Sequence, residues 1–188
     1  PNQKVVIPLP PEPIMRSDGE AKNDCERNAS KRWVEQFRLE HPHLPTVILA
    51  DGLHSNAPFI KMLKEHRCHF ILVCQEKDHK YLIKQLKHAD MKSAPIIINE
   101  HSEWHQIKKY QYMNNVPINE SNKDCLVNIL KYTEYDTLTG EESKWLWVTD
   151  LDITKNHIGE MQRGGRSRWS IENEVFNTLK NQGYHFEH

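Results

Sequence analysis

Two acidic residues that lie far apart in the chain, Asp51 and Glu172, are the best candidates for chemistry. Asp51 follows the apolar run 46–50, and Glu172 falls on the apolar side of a predicted helix near the end of the chain. A carboxylate on the core-facing side of a helix is costly unless it is paired or holds a metal. Two carboxylates can share a hard divalent cation, and oxygen ligands favour Mg²⁺ or Mn²⁺. Two such ions about 4 Å apart can drive an in-line displacement at a phosphodiester.

Each carboxylate also has an ordinary structural interpretation. Arg168 precedes Glu172 by one helical turn, and an Arg–Glu pair at this spacing can lie at the edge of a core. Asp51 followed by Gly52 is a common turn after a strand. Glu174 is a rival to Glu172, but on a helical wheel it falls on the polar side of the same helix.

Arginines surround the two glycines at which we expect this last helix to begin. Arg163 precedes Gly164 and Gly165, and Arg166 and Arg168 follow them. A glycine-rich turn, a helix N-terminus and arginines together bind phosphate well. The alternative is an ordinary turn with arginines on the surface.

A second positive stretch lies near the middle of the chain. Its members are Lys77, Lys80, Lys84, Lys87 and Lys92. A solvated helix face explains such a stretch at least as often as DNA binding does.

The elements that must position these residues follow from the hydrophobic pattern. It predicts helices at 24–40, 55–66 (capped by Ser55 or Asn56) and 78–89, and buried strands at 46–50 and 68–74, after a short strand at 4–9. Four strand-like runs between 94 and 152, with a clear turn at 136–140, predict an antiparallel meander. The sequence therefore predicts an α/β fold.

The meander also bears on the domain organisation. A helix, a strand and a connection back to the last helix would need roughly 40 residues after Asp51. The segment between Asp51 and the predicted last helix is far longer than that. We therefore interpret 94–152 as a β-rich insertion into a core formed by 1–93 and 153–188.

Composition limits the class of protein. The 188 residues carry 27% charged side chains, which is typical of one globular domain. No apolar run reaches membrane-spanning length, and the four cysteines have no CxxC pairing that would suggest a zinc site or a disulfide framework. Because the net charge is −1, any phosphate binding must come from local patches.

Three stretches of the sequence resemble a known family. They are GRSRWSIENEVFNTLKNQGYHFEH at the end of the chain, ILADGLHSNAPFIK around Asp51, and KNDCERNASKRW. They resemble bacterial insertion-sequence transposases with an RNase H-like DDE catalytic domain, and the resemblance covers essentially the whole chain. Of the family signature Tyr-x2-Arg-x3-Glu-x6-Lys, Arg168 and Glu172 fit. Gly165 stands at the Tyr position, and Lys180 lies one step beyond the Lys position.

The resemblance implies an RNase H-like mixed sheet with flanking helices. It also implies that Asp51 and Glu172 are catalytic ligands of two Mg²⁺ (or Mn²⁺) ions, and that Arg168 contacts the phosphates of transposon ends, with Lys180 as a second candidate. The activity would be endonuclease cleavage at insertion-sequence ends and strand transfer into target DNA, which is DNA transposition and recombination. A homodimer on DNA, in the bacterial cytoplasm at the nucleoid and without a membrane, is expected from the family.

One departure from the family pattern concerns the first of its three carboxylates. The strand at 4–9 has no acid, and Asp18 and Asp24 fall in a loop and at a helix start. Since the sequence does not begin with Met, we expect the first strand and its aspartate to be missing, and this chain alone to bind metal weakly and be inactive. Two other interpretations stay open: a catalytically incomplete DNA-binding or interaction remnant, and an unrelated Mg²⁺-dependent nuclease with an RNase H-like core.

Overall fold

The computed structural model describes residues 9–14, 25–88, 92–98 and 106–170. Of the sequence predictions, the strand at 4–9 lies almost wholly outside these ranges, and so do Glu172 and Lys180. The elements, numbered in chain order, are α1 (Glu26–Glu40), β1 (Val47–Ala50), α2 (Ala57–Glu65), β2 (His69–Val73), α3 (Lys80–His88), β3 (Lys92–Ile98), β4 (Gln106–Asn119), β5 (Asn122–Asp136), β6 (Glu142–Thr149) and α4 (Ile158–Ser170).

The strands form one sheet in the order β1-β2-β6-β5-β4-β3. β1 and β2 are parallel, and every other neighbouring pair is antiparallel. The predicted α/β class with a mixed sheet and flanking helices is therefore confirmed, and so is the meander, which β3 to β6 form. Because β6 pairs with β2, the meander extends the same sheet. The boundaries of an insertion at 94–152 remain a prediction.

The chain divides into two compact units, 44–165 and 1–43 with 166–188. The first contains the whole sheet, and one face of that sheet is covered by α2. Asn56 begins this helix by accepting a hydrogen bond from the N–H of Phe59 at 3.1 Å, and Phe59, Ile60 and Leu63 are buried. Asn56 rather than Ser55 is thus the cap of α2.

The opposite face of the sheet packs against the start of α4. Ile158 and Met161 of α4 belong to one buried cluster with Ile71 of β2, Tyr132 of β5 and Trp147 of β6. Along β2, Phe70 and Leu72 alternate with Ile71 and face the other side. The sheet is therefore apolar on both faces, as the apolar sequence of β2 predicts.

The prediction that the last helix begins near Gly165 is wrong. α4 begins at Ile158, and Gly164 and Gly165 lie within it. A Cβ on Gly164 would lie 3.0 Å from Cδ1 of Ile71, and one on Gly165 would lie 2.6 Å from Cε2 of Trp147. The glycines therefore serve the close approach of helix and sheet rather than a turn.

The other unit contains α1. Trp33 and Phe37 stack on one side of this helix with ring centroids 5.0 Å apart, and the proline-rich segment 9–13 runs alongside. Nε1 of Trp33 donates to the carbonyl of Pro10 at 3.2 Å, and Arg32 pairs with Glu12. Across the described ranges of both units, no helix has the length and apolarity needed to cross a membrane.

Candidate functional site

Asp51 stands directly after β1, where the parallel strands β1 and β2 both end. Its Oδ1 accepts the N–H of Leu53 at 3.0 Å, and Nδ1 of His54 lies 3.1 Å from the same oxygen. The side chain is 50% exposed, and Oδ2 has no hydrogen-bond partner within the described part of the chain. One carboxylate oxygen is thus fixed by the protein, and the side chain as a whole is half exposed.

His54 holds Asp51 from the buried side. The residue is only 6% exposed, and its ring packs against Phe59 of α2 with centroids 5.1 Å apart. A contact between Nδ1 and a carboxylate oxygen requires the proton on Nδ1. His54 therefore orients the carboxylate of Asp51 and links it to the core beneath α2.

The residues that follow β2 lie next to this turn. A Cβ on Gly52 would lie 2.9 Å from Cγ of Gln75, so the glycine lets the Gln75 side chain lie against the backbone next to Asp51. Cys74 is 4% exposed, and burial, assisted by Glu76 and Asp78, raises its pKa to about 12. This thiol stays protonated at neutral pH and is not a nucleophile.

Two buried polar atoms near this edge of the sheet have no hydrogen-bond partner among the described residues. They are Oγ of Ser55 and Nε2 of His79, on residues that are 3% and 8% exposed. Burial lowers the pKa of His79, and the nearby Asp78 only partly opposes this. Buried polar groups without a partner are rare in folded proteins.

The second predicted carboxylate, Glu172, lies outside the described residues, as does Lys180. The described ranges contain no group of three or more His, Cys, Asp or Glu side chains placed to hold a metal ion. Of the two predicted metal-binding carboxylates, the structure therefore describes only Asp51. Its pairing with Glu172 remains a prediction.

The three predicted DNA-binding arginines lie on α4, but they do not form the predicted phosphate site at a glycine-rich turn and helix N-terminus. α4 begins five residues before Arg163, so no free backbone N–H groups point at them. At about 100° per residue, Arg163 and Arg166 lie on one side of the helix and Arg168 on another. Arg163 and Arg166 are exposed, whereas Arg168 is half-buried. The expectation of one joint turn site is therefore wrong, although each side chain remains a candidate phosphate contact.

Sequence reasoning missed His54, Ser55, Gln75 and His79. His54 could have been found, because a histidine three residues after an aspartate in a turn can reach back to its carboxylate. Gln75 and His79 follow the end of β2, where polar groups of an α/β sheet usually form a site. Nothing in the sequence shows which of their atoms lack partners.

No protein-family model matches the sequence, and a search of curated proteins returns no significant match.

Proposed function

We propose that the chain belongs to the catalytic domain of a DDE-type transposase with an RNase H-like fold, and that Asp51 is one of its metal-binding carboxylates. The observation that carries the proposal is the position of Asp51. It directly follows β1 of the parallel β1–α2–β2 unit, with Oδ1 fixed by Leu53 and His54 and the side chain half exposed. The carboxyl end of such a strand is the usual place for a ligand in an α/β sheet.

The described part of this position offers one carboxylate oxygen to a divalent ion. The second oxygen of Asp51 is a hard ligand suited to Mg²⁺ or Mn²⁺, while Nδ1 of His54 is engaged with Asp51. Glu172 would be the second ligand. When bound, the ions would supply activation of the attacking oxygen and stabilisation of the leaving oxygen.

The protein's own residues have separate roles in this proposal. Asp51 and Glu172 bind the divalent ions. His54 positions Asp51, and the arginines of α4 hold the DNA backbone. Arg163 and Arg166 are exposed and contact phosphates as charged forks. Arg168, one turn before Glu172, would hold a phosphate close to the cleaved bond.

The test is a nicking assay with the natural polypeptide that includes these residues. The substrate is a duplex carrying the inverted repeats that flank the protein's own gene, with Mg²⁺ or Mn²⁺ present. We expect nicking at the repeat ends that falls to background in Asp51→Asn and in Glu172→Gln. Asp136→Asn is the matched control, because Asp136 makes the same type of turn through Oδ1 to the N–H of Leu138 in the β5–β6 hairpin.

Retained nicking in a folded Asp51→Asn protein would contradict the proposal. Nicking without preference for the repeat would favour the unrelated nuclease. A DNA-binding protein without cleavage is the second candidate, because the exposed Arg163 and Arg166 need no metal to bind phosphate. It predicts tight binding to DNA and no nicking by the unmodified protein.

A further inference from the structure

The exposed side of α3 carries a row of lysines. Lys77 precedes the helix, and Lys80, Lys84 and Lys87 follow at intervals of three, four and three residues. At 3.6 residues per turn the intervals within the helix place Lys80, Lys84 and Lys87 on one face. All of them are exposed, while Leu82 on the other face is fully buried. We call Lys77, Lys80, Lys84 and Lys87 the α3 lysine row.

The lysine row lines an open groove of about 420 Å³. Besides the lysines, only Glu76 and Ile83 line it, so a single acid faces four positive charges. None of these lysines has an ion-pair partner among the residues that the structure describes.

Two lysines elsewhere in the same unit lie beside carboxylates. Nζ of Lys61 lies 2.8 Å from a carboxylate oxygen of Asp124, and Nζ of Lys144 lies 2.6 Å from Glu142. In a chain with a net charge of −1, four exposed lysines without an ion-pair partner among the described residues are a local concentration of positive charge. Such a row attracts anions at a distance.

We propose that the α3 lysine row binds the phosphodiester backbone of duplex DNA. At a rise of 1.5 Å per residue, Lys80, Lys84 and Lys87 extend roughly 10 Å along the helix axis, with neighbours about 4.5–6 Å apart. This spacing suits an extended polyanion rather than one compact anion. Flexible lysine ammonium groups engage phosphates as point charges, which gives affinity without reading sequence.

The choice of DNA among polyanions rests on the proposed function. The surface itself is a second proposed contact, carried by α3 and the turn before it, and it uses neither Asp51 nor the arginines of α4. It would hold DNA that is bound without sequence preference, such as flanking or target DNA.

The test is fluorescence anisotropy with a 30-base-pair duplex of arbitrary sequence, in EDTA, over a range of salt concentrations. The triple variant Lys80→Gln/Lys84→Gln/Lys87→Gln is compared with the unmodified protein. Three lost phosphate contacts should reduce the magnitude of the slope of log K against log salt by about 2–3, and affinity at 0.1 M salt should fall by roughly tenfold or more.

The matched control removes three exposed lysines from the strands, as Lys109→Gln/Lys123→Gln/Lys144→Gln, and should bind nearly as the unmodified protein does. Lys80→Arg/Lys84→Arg/Lys87→Arg should also retain binding, because the charge is kept. Thermal melting checks that every variant is folded.

Equal losses in the α3 variant and the strand control would overturn the proposal, and so would tighter binding to duplex RNA than to duplex DNA. These outcomes are independent of catalysis, because EDTA prevents cleavage. If Asp51→Asn still nicks DNA while the α3 variant loses affinity, the catalytic proposal fails and the binding surface stands. If Asp51→Asn abolishes nicking while the α3 variant keeps its affinity for DNA, the proposed binding surface fails and the catalytic proposal stands.

Discussion

Gly165 of α4 lies against the indole of Trp147 in β6, so closely that no other residue fits there without movement. An added Cβ would lie 2.6 Å from Cε2 and 2.8 Å from Nε1 of Trp147. Trp147 is 2% exposed and belongs to the central cluster. Because a buried indole cannot rotate away, Gly165 fixes how near α4 comes to the sheet.

Gly165→Ala should lower the free energy of unfolding. Overpacking a dense core costs about 1–3 kcal/mol, which exceeds the gain of at most about 1 kcal/mol in helix propensity from Gly to Ala. Chemical denaturation measures the change. Gly159→Ala is the matched control, since the nearest atom to its added Cβ is Nη1 of Arg163 at 3.7 Å. It should leave stability unchanged or slightly raised, and equal effects of the two substitutions would contradict this packing.

Asp51→Asn should be milder for stability than Asp51→Ala. Asparagine keeps an Oδ1 that can accept the N–H of Leu53, whereas alanine removes that acceptor and the partner of His54. We expect a loss of about 1 kcal/mol for alanine and less for asparagine, measured by urea unfolding. Equal losses for the two variants would show that Oδ1 does not hold this turn.

His79 should make the protein less stable in mild acid. Because burial lowers the pKa of His79 below its usual 6.5, the unfolded chain takes up a proton at a pH where the folded protein does not. The free energy of unfolding should therefore decrease as the pH falls below about 6.5. His79→Leu should weaken this dependence, as seen in denaturation at neutral and mildly acidic pH. An unchanged pH dependence would show that His79 does not contribute.

Asn128 should be important for the stability of the sheet. It is 4% exposed. Its Oδ1 accepts the N–H of Asn115 and its Nδ2 donates to the carbonyl of Leu151, both at 2.8 Å. Asn128→Ala leaves both backbone groups without partners and should cost about 2–3 kcal/mol. Asn122→Ala, at the half-buried β4–β5 turn, should lower the free energy of unfolding by less than about 1 kcal/mol. A larger loss for Asn122→Ala than for Asn128→Ala would contradict this role of Asn128.

Local patterns predicted most of the elements. The apolar β-branched run at β1, the Asn56 cap of α2 and the turn at 136–140 depend on neighbouring residues, and the structure has them all. β4 continues to Asn119, although Asn114, Asn115 and Pro117 are residues typical of the end of a strand. Asn115 instead takes a left-handed φ of 59°, and its bond to Asn128 continues the strand beyond the irregularity.

The candidate site was predictable only where it depends on strand ends. Asp51 could be identified because polar residues after buried strands tend to form sites. The local sequence does not show that Gly164 and Gly165 lie within a helix, because the clash that excludes a side chain involves Ile71 and Trp147, which are distant in sequence. Likewise, the unpaired atoms of Ser55 and His79 depend on tertiary packing and leave no trace in the local pattern.

The most direct test of the central claim, that Asp51 and Glu172 bind one divalent ion, is a crystal structure of the protein with Mn²⁺ and its anomalous scattering map. The account predicts an anomalous peak roughly 2.0–2.3 Å from a carboxylate oxygen of each residue. Two carboxylates more than about 12 Å apart in the folded protein, too far to share an ion, would contradict it, as would Mn²⁺ bound elsewhere.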